Sequence, residues 1–435
     1  MLKPYPFQET AIAMGSKTHT LIGDKCGLGK TLDALEVIRR SWRAPDDELW
    51  MHCPALVICP KQLRSQWLEK AAEQGIKAVI HGEWFDGVHV LVVTHYEALQ
   101  NIRTRTELRG RNWSVMVIDE AHRIKNRNAQ RTKFVKEVGR HAYRRLCLTG
   151  TPMEKSAGDL WSIFNFLYPD SYRSYWKFED RFVDKRLNYA GFPEIVGSKN
   201  LEVLGEETRD FFIRRGREVV NDQLPPITET IVELDMEDNQ RTLYDIIKKA
   251  DDIEVTVSED LDPIIIQNAL VKITRLQQAT SYPPMLTLNS EAGSKVQWVR
   301  EFVEDNPDEP IVIFTRFRET ASVLAGVLNA QLIMGGSPPT GGTPLRRVGT
   351  IAAMGEGLSF GEVTTAIFVD YEWSTILMSQ AKDRIDRVDS PIHLSKQIIY
   401  LHCKRSVDRL FHDRLTKKWS DAKTVYEYLA NRKEM

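Results

Sequence analysis

Short, uniformly apolar runs recur along the first half of the chain between stretches of helical spacing: HTLIG (19–23), PALVICP (54–60), VHVLVVTHY (88–96), WSVMVIDE (113–120) and RRLCLTGTP (144–152). Runs of this length that end in polar or glycine-rich turns are what parallel strands buried on both faces look like. The pattern predicts a doubly wound α/β domain. From Trp161 to about Asp184 it changes to aromatic-rich helix, and another helical stretch runs from Asn239 to Gln278. Between them QLPPITET is broken by prolines and reads as a joint. A second strand series follows: PIVIFTRF (310–317), RVGTIAAMG (347–355), TTAIFVDYE (364–372) and KQIIYLHC (396–403). The expectation is two α/β lobes with helical insertions, without solenoid repeats or low-complexity tracts.

Composition changes this picture in three ways. A chain of 435 residues suits two or three domains, each able to bury a core. Its 59 basic residues against 60 acidic ones exclude a globally basic nucleic-acid coat, so any polyanion would be held by a local patch. The five cysteines (Cys26, Cys53, Cys59, Cys147 and Cys403) form no C-x-x-C pair and read as reduced core or loop thiols, neither a disulfide framework nor a zinc site. The N-terminal MLKPYPFQETA lacks a basic-then-apolar signal and no apolar run nears a membrane span. A soluble cytoplasmic protein without membrane contact is expected.

The first candidate for chemistry is GDKCGLGKT (23–31), which ends like a phosphate-binding loop but carries Asp24 where the generic pattern has glycine. Gly27 and Gly29, with Leu28 between them, would let backbone N–H groups close around phosphate oxygens at a helix start. Lys30 would reach the terminal phosphates and Thr31 would place its hydroxyl on Mg²⁺. The bland alternative is a glycine turn before an amphipathic helix. Downstream, VMVIDEAH delivers Asp119 and Glu120 at the C-terminal end of an apolar strand, where open α/β sheets bind ligands. Asp119 would sit in the Mg²⁺ shell and Glu120 would orient or deprotonate an attacking water; a helix cap explains one of these acids but not both. LTGTP (148–152) is weak alone. In SQAKDRIDRVD (379–389), Arg384 and Arg387 are three apart, so on a helix they share a face and would neutralise charge on a γ-phosphate when two lobes close. In isolation that stretch reads as a solvated helix of surface ion pairs.

Taken in order, GLGKT, DEAH, LTGTP and the R-x-x-R stretch resemble the superfamily 2 helicases and translocases, and within them the Swi/Snf-type DNA translocases. That family writes its loop D-E-x-G-x-G-K-T, so Asp24 fits and Lys25 departs. FFIRRGREVVNDQLPP (211–226) is similar to the family's interlobe pattern R-R-x-K-x-x-V-x-x-x-L-P: Arg214, Arg215, Val220, Leu224 and Pro225 match, while Arg217 replaces the lysine. Further matches are AHRIKN, LWSIFNFL, NQRTLYDII, IVIFTRF and AAMGEGLSF, so the resemblance covers nearly the whole chain. The departures cluster in the second half: Met354, Ser359 and Phe360 break A-G-G-x-G-L-N-L, and Asp389-Ser390 replaces glycine-glutamine.

The resemblance implies two RecA-like doubly wound parallel-sheet lobes, residues 1–224 with a helical insertion about 153–210 and residues 225–435 with one about 236–285. It implies ATP and Mg²⁺ as cofactors, with Gln8 reading the base and Gln380 also at the nucleotide. A groove for duplex DNA would be lined by Lys61, Gln62, Thr94, His95 and Tyr96 in the first lobe and by Thr315, Arg316 and Ser359 in the second, contacting phosphates without reading sequence. Two basic strips, 103–111 and 123–145, are as consistent with an enlarged positive face as with solvated helices. The expected activity is ATP-dependent, sequence-independent translocation on duplex DNA by a monomer, with an unidentified protein partner allowed. The alternatives are a strand-separating DNA or RNA helicase of the same superfamily and an ATP-gated clamp without turnover.

Overall fold

The computed structural model describes residues 3–25, 27–43, 48–83, 89–153, 156–187, 192–216, 227–249, 269–287, 290–335, 340–354, 360–385, 395–413 and 415–416. Described residues up to Gly216 form one compact unit and those from Ile227 onward form a second.

In the first unit the apolar runs become β1 (Thr20–Ile22), β2 (Ala55–Cys59), β3 (Ala78–Ile80), β4 (Leu91–His95), β5 (Trp113–Asp119) and β6 (Ala142–Leu148). After β6 come the helices Trp161–Leu167 and Tyr175–Phe182, an antiparallel hairpin of β7 (Val183–Leu187) and β8 (Pro193–Ser198), the helix Leu201–Thr208 and the short β9 (Phe212–Ile213). The sequence pattern makes this insertion helical throughout; the hairpin is a correction to it. Its strands carry Leu187, Ile195 and Val196 exposed, so they lack the one-sided apolar alternation that marks a packed strand. Seven strands form one parallel sheet in the order β3-β4-β2-β5-β6-β1-β9. Because side chains alternate along a strand, Leu56, Ile58, Met116 and Ile118 pack into the core on one face while Val57, Val115 and Val117 pack on the other. Burial on both faces is why these strands read as continuous apolar runs.

The second unit repeats the plan with β10 (Ile227–Leu234), β11 (Ile311–Thr315), β12 (Ala330–Ile333), β13 (Thr343–Thr350), β14 (Thr365–Phe368) and β15 (Lys396–Cys403), all parallel in the order β10-β15-β14-β11-β13-β12. Helices Asp238–Lys249 and Ala269–Ser281 occupy the described part of its insertion. Two expectations are corrected here. The joint at QLPPITET gives way at Ile227 to an eight-residue edge strand, whose β-branched Ile227, Thr228, Thr230, Ile231 and Val232 suit a half-exposed ladder. RVGTIAAMG is a strand only to Thr350; Ile351–Met354 is helical, and the Thr350 hydroxyl caps it by accepting from Ala353 N–H at 3.3 Å.

Candidate functional site

Register brings the chemistry to one level of the first sheet. Ile22 of β1 lies opposite Leu148 of β6 on one side and Ile213 of β9 on the other, and Leu148 lies opposite Asp119 of β5. The row is therefore Ile213, Ile22, Leu148, Asp119. The loop from Gly23, Thr149 and Glu120 all leave the sheet at the same height, and so do Arg214 and Arg215. With neighbouring strands about 4.8 Å apart, β1 and β5 stand roughly 10 Å apart, a span that suits a bridged polyphosphate.

The loop itself is built on glycine. Gly27 and Gly29 have φ of 86° and 80°, a conformation unfavourable for side chains, and a Cβ at Gly29 would stand 2.7 Å from Gln8 Nε2. Lys30 opens the helix Lys30–Ser41 and its ammonium curls back to donate to the carbonyls of Asp24 (2.7 Å) and Lys25 (3.1 Å). Gln8 is fully buried: its amide donates to Asp33 Oδ1 (2.7 Å) and to the Gly29 carbonyl (3.3 Å), and accepts from Tyr5 N–H. Gln8 thus braces the loop from beneath through its amide.

Asp24 finds its reason 191 residues away. Fully buried, it takes the Arg215 guanidinium on both carboxylate oxygens, with Nε at 3.1 Å from Oδ1 and 3.0 Å from Oδ2 and Nη2 closing on Oδ2, while Arg215 N–H donates to Oδ1 at 2.8 Å. Lys25 N–H returns a bond to the Arg215 carbonyl at 3.0 Å. Arg214 Nη1 donates to the carbonyls of Gly23 (2.7 Å) and Gly150 (3.1 Å), joining the phosphate loop to LTGTP. Sequence reasoning matched both arginines to a family pattern but missed what they hold. The signal available was the unexplained acid at position 24, which a buried site demands be paired.

At the other end of the row, Asp119 Oδ1 accepts from Glu120 N–H (2.9 Å) and Oδ2 from the Trp67 indole (2.9 Å). Burial, reinforced by the Glu120 charge, lifts the Asp119 carboxyl to about 6. Glu120 takes a left-handed backbone, φ 52°, and its Oε2 lies 3.2 Å from His122 Nδ1, which is also 3.2 Å from Thr149 Oγ1. His122 thus ties DEAH to LTGTP. The oxygen donors Thr31 and Asp119 suit a hard divalent cation such as Mg²⁺, and the positive-φ glycine turn that opens the Lys30 helix suits a phosphate.

The expected DNA contacts divide. Lys61 and Gln62 are exposed just beyond β2, and His95 is half-buried just beyond them at the end of β4. Burial and then the charges of Arg64 and Lys61, opposed by Glu97, hold the His95 imidazole below its ordinary pKa. Thr94 and Thr315 are both buried in their strands, Thr315 donating to Asp370. Arg316 is engaged by Gln277 and lies 3.8 Å from Glu372. The basic strips are largely spent internally, with Arg105 and Arg109 on Glu137, Arg103 on Glu107 and Arg127 stacked on Tyr175 and Trp176.

In the second unit the helix Thr375–Asp383 ends before Arg384, which is its cap. Arg384 is buried and its carbonyl accepts from Phe360 N–H at 2.9 Å. Gln380 is buried, and its amide nitrogen has no hydrogen-bond partner among the described residues. Lys396, unremarked in the sequence, is buried with its ammonium on the carbonyls of Gly361 (2.7 Å) and Ile385, closing the end of this helix. Ser359, Arg387, Cys26 and residues 217–226 lie outside the described residues. Among the described residues no group of His, Cys, Asp and Glu is placed to hold a metal ion by itself and no helix is long and apolar enough to cross a membrane.

Comparison with known proteins agrees with this arrangement. The chain is 29% identical over 246 residues to the probable ATP-dependent DNA helicase CHR23 of Arabidopsis thaliana, covering 52% of this chain and 22% of that protein. It is 24% identical over 399 residues to the uncharacterized ATP-dependent helicase MG018 of Mycoplasma genitalium, covering 85% of this chain and 36% of that protein. The chain thus spans about a third or less of the length of these relatives. The Sulfolobus solfataricus SWI2/SNF2 ATPase core in complex with dsDNA aligns over 99% of this chain and 98% of its own at 21% identity and a TM-score of 0.44. The SNF2-related domain model matches residues 11–285, from the helix before β1 through the phosphate loop, the DEAH turn, Arg214 and Arg215, and the chain belongs to that family.

Proposed function

We propose that this chain is an ATP-hydrolysing motor that moves along duplex DNA without reading its sequence. The observation that carries this reading is the common row: phosphate loop, LTGTP, DEAH turn and paired arginines emerge at one height of one sheet, while Lys61 and His95 lie at the ends of the adjacent strands. Gly27, Gly29 and the first N–H groups of the Lys30 helix would receive phosphate oxygens, and Lys30 would exchange its carbonyl partners for the terminal phosphates. Thr31 and Asp119 would hold Mg²⁺, which supplies neutralisation of the phosphate charge when bound. Glu120 would orient the attacking water and accept its proton, with His122 reporting that state to Thr149. Arg384 and Arg387 would complete the charge neutralisation.

The chemistry is differential stabilisation of a charged transition state, so DNA contacts that merely position the duplex should govern rate and salt dependence, not sequence preference. ATP turnover measured with no nucleic acid, duplex DNA, single-stranded DNA and RNA tests the reading. Duplex DNA is expected to stimulate most, the stimulation falling steeply with salt. A triplex-forming third strand should be displaced and a plain forked duplex left paired. Processive unwinding of the fork, or stimulation by RNA alone, would move the chain to the helicase alternative.

A further inference from the structure

Two buried side chains converge on Asp119. Trp67 belongs to the helix Arg64–Glu73, which starts immediately after the exposed Lys61 and Gln62, and its indole donates to Asp119 Oδ2 at 2.9 Å. Tyr96 directly follows His95, and its hydroxyl donates to the Asp119 carbonyl at 2.5 Å, with the Glu120 carbonyl 3.4 Å away. Both side chains are 1% exposed. Neither can touch DNA, yet Tyr96 directly follows His95 and Trp67 lies on the first turn of the helix that follows Lys61. The turn they grip is unusual: Glu120 sits in the left-handed region, where a residue with a Cβ stays only when its surroundings hold it there. The Tyr96 bond to the carbonyl just before that residue and the Trp67 bond to the carboxylate are two such restraints, one from each loop.

We propose that Trp67 and Tyr96 are positioning residues that transmit occupancy of the Lys61–Arg64 and His95 loops by DNA phosphate to the orientation of Asp119 and Glu120. The inference rests on the motor reading above and names the route by which duplex DNA would stimulate hydrolysis. A shift of either loop under phosphate moves the donor on the same short stretch of backbone, because helix start and strand end are each packed rigid pieces. The two donors act on different atoms of Asp119, so each should carry part of the coupling independently.

The test uses the full chain and the substitutions Trp67→Phe and Tyr96→Phe, which delete one donor each and keep the ring. Trp113→Phe is the control: Trp113 is also fully buried in the same sheet core, but its indole donates to the Leu108 carbonyl at 2.9 Å and not to Asp119. For each protein the ratio of kcat with saturating duplex DNA to kcat without it is measured, with duplex affinity by fluorescence anisotropy and the unfolding midpoint alongside. The expected result is a ratio lowered about tenfold in Trp67→Phe and in Tyr96→Phe, duplex affinity within about twofold of the parent, and an unchanged ratio in Trp113→Phe. Ratios equal to the parent in both variants overturn the inference while leaving the motor reading intact, and an equal fall in Trp113→Phe overturns it by reducing the effect to lost packing. Should one variant not fold, the other decides alone. A parent protein whose turnover ignores duplex DNA overturns both readings together.

Discussion

Lys30 and Glu120 sit at opposite ends of the same row and should fail differently. The Lys30 ammonium now rests on two loop carbonyls, partners it can leave for phosphate oxygens, so Lys30→Ala removes a ground-state contact and should weaken nucleotide binding tenfold or more. Glu120→Gln keeps the size of the side chain and deletes only its charge; nucleotide affinity should stay within about threefold while turnover falls by two or more orders of magnitude. Titration with a fluorescent ATP analogue beside steady-state hydrolysis separates the two, and equal loss of binding in both would refute these assignments. At this scale the sequence revealed which residue types were present, since glycines, a lysine and paired acids announce themselves by spacing. It did not reveal which polar groups are already occupied. Thr94, Thr315 and Gln8 are hydroxyls and an amide of the right kind in the right order, but burial and existing bonds decide their roles, and those depend on partners far away in the chain.

Among the elements, the strands with both faces covered were legible because burial on both sides forces an unbroken apolar run, as in Ala55–Cys59. Those that were missed are short or lie towards a sheet edge: β3, β9 and β12 have two to four residues, and β10 covers only one face. A strand of two residues, such as β9, leaves no periodicity to detect, yet it sets Arg214 and Arg215 at the height of the phosphate loop. The element carrying Arg384 shows the converse. Its helix was anticipated, but its end at Asp383, fastened by the buried Lys396 ammonium, was not, because a lysine reads as surface by default. Held at that cap, Arg384 should act in the transition state more than in binding: Arg384→Ala and Arg387→Ala are each expected to lower kcat by two or more orders of magnitude with a several-fold change at most in nucleotide affinity. Normal hydrolysis by both variants in the presence of DNA would make these arginines structural.

For the molecule as a whole, each unit carries a histidine that resists protonation, His19 half-buried and His402 buried. Burial, helped by Arg145 and Arg144, holds His19 at about 4 in the first unit; burial, with Lys295 and His412 opposing the proton and Asp408 favouring it, holds His402 at about 4 in the second. A histidine whose folded pKa lies below its unfolded value near 6.5 favours the fold while neutral. That stability is present above pH 6.5, is lost progressively as pH falls towards 4, and changes no further below it. After allowance for solvent screening, each should contribute roughly 1–2 kcal/mol. Urea unfolding at pH 7.5 and pH 5 is expected to show a smaller acid loss in His402→Gln than in the parent, and an identical loss in the two proteins would exclude this histidine as a source. The bond between Asp24 and Arg215 has a consequence on another timescale. These residues stand 191 positions apart, and either one alone would leave a buried charge with its partner gone. Descendants of this chain must therefore exchange positions 24 and 215 as a pair, so the two should appear in lineages as one inherited character, present or absent together.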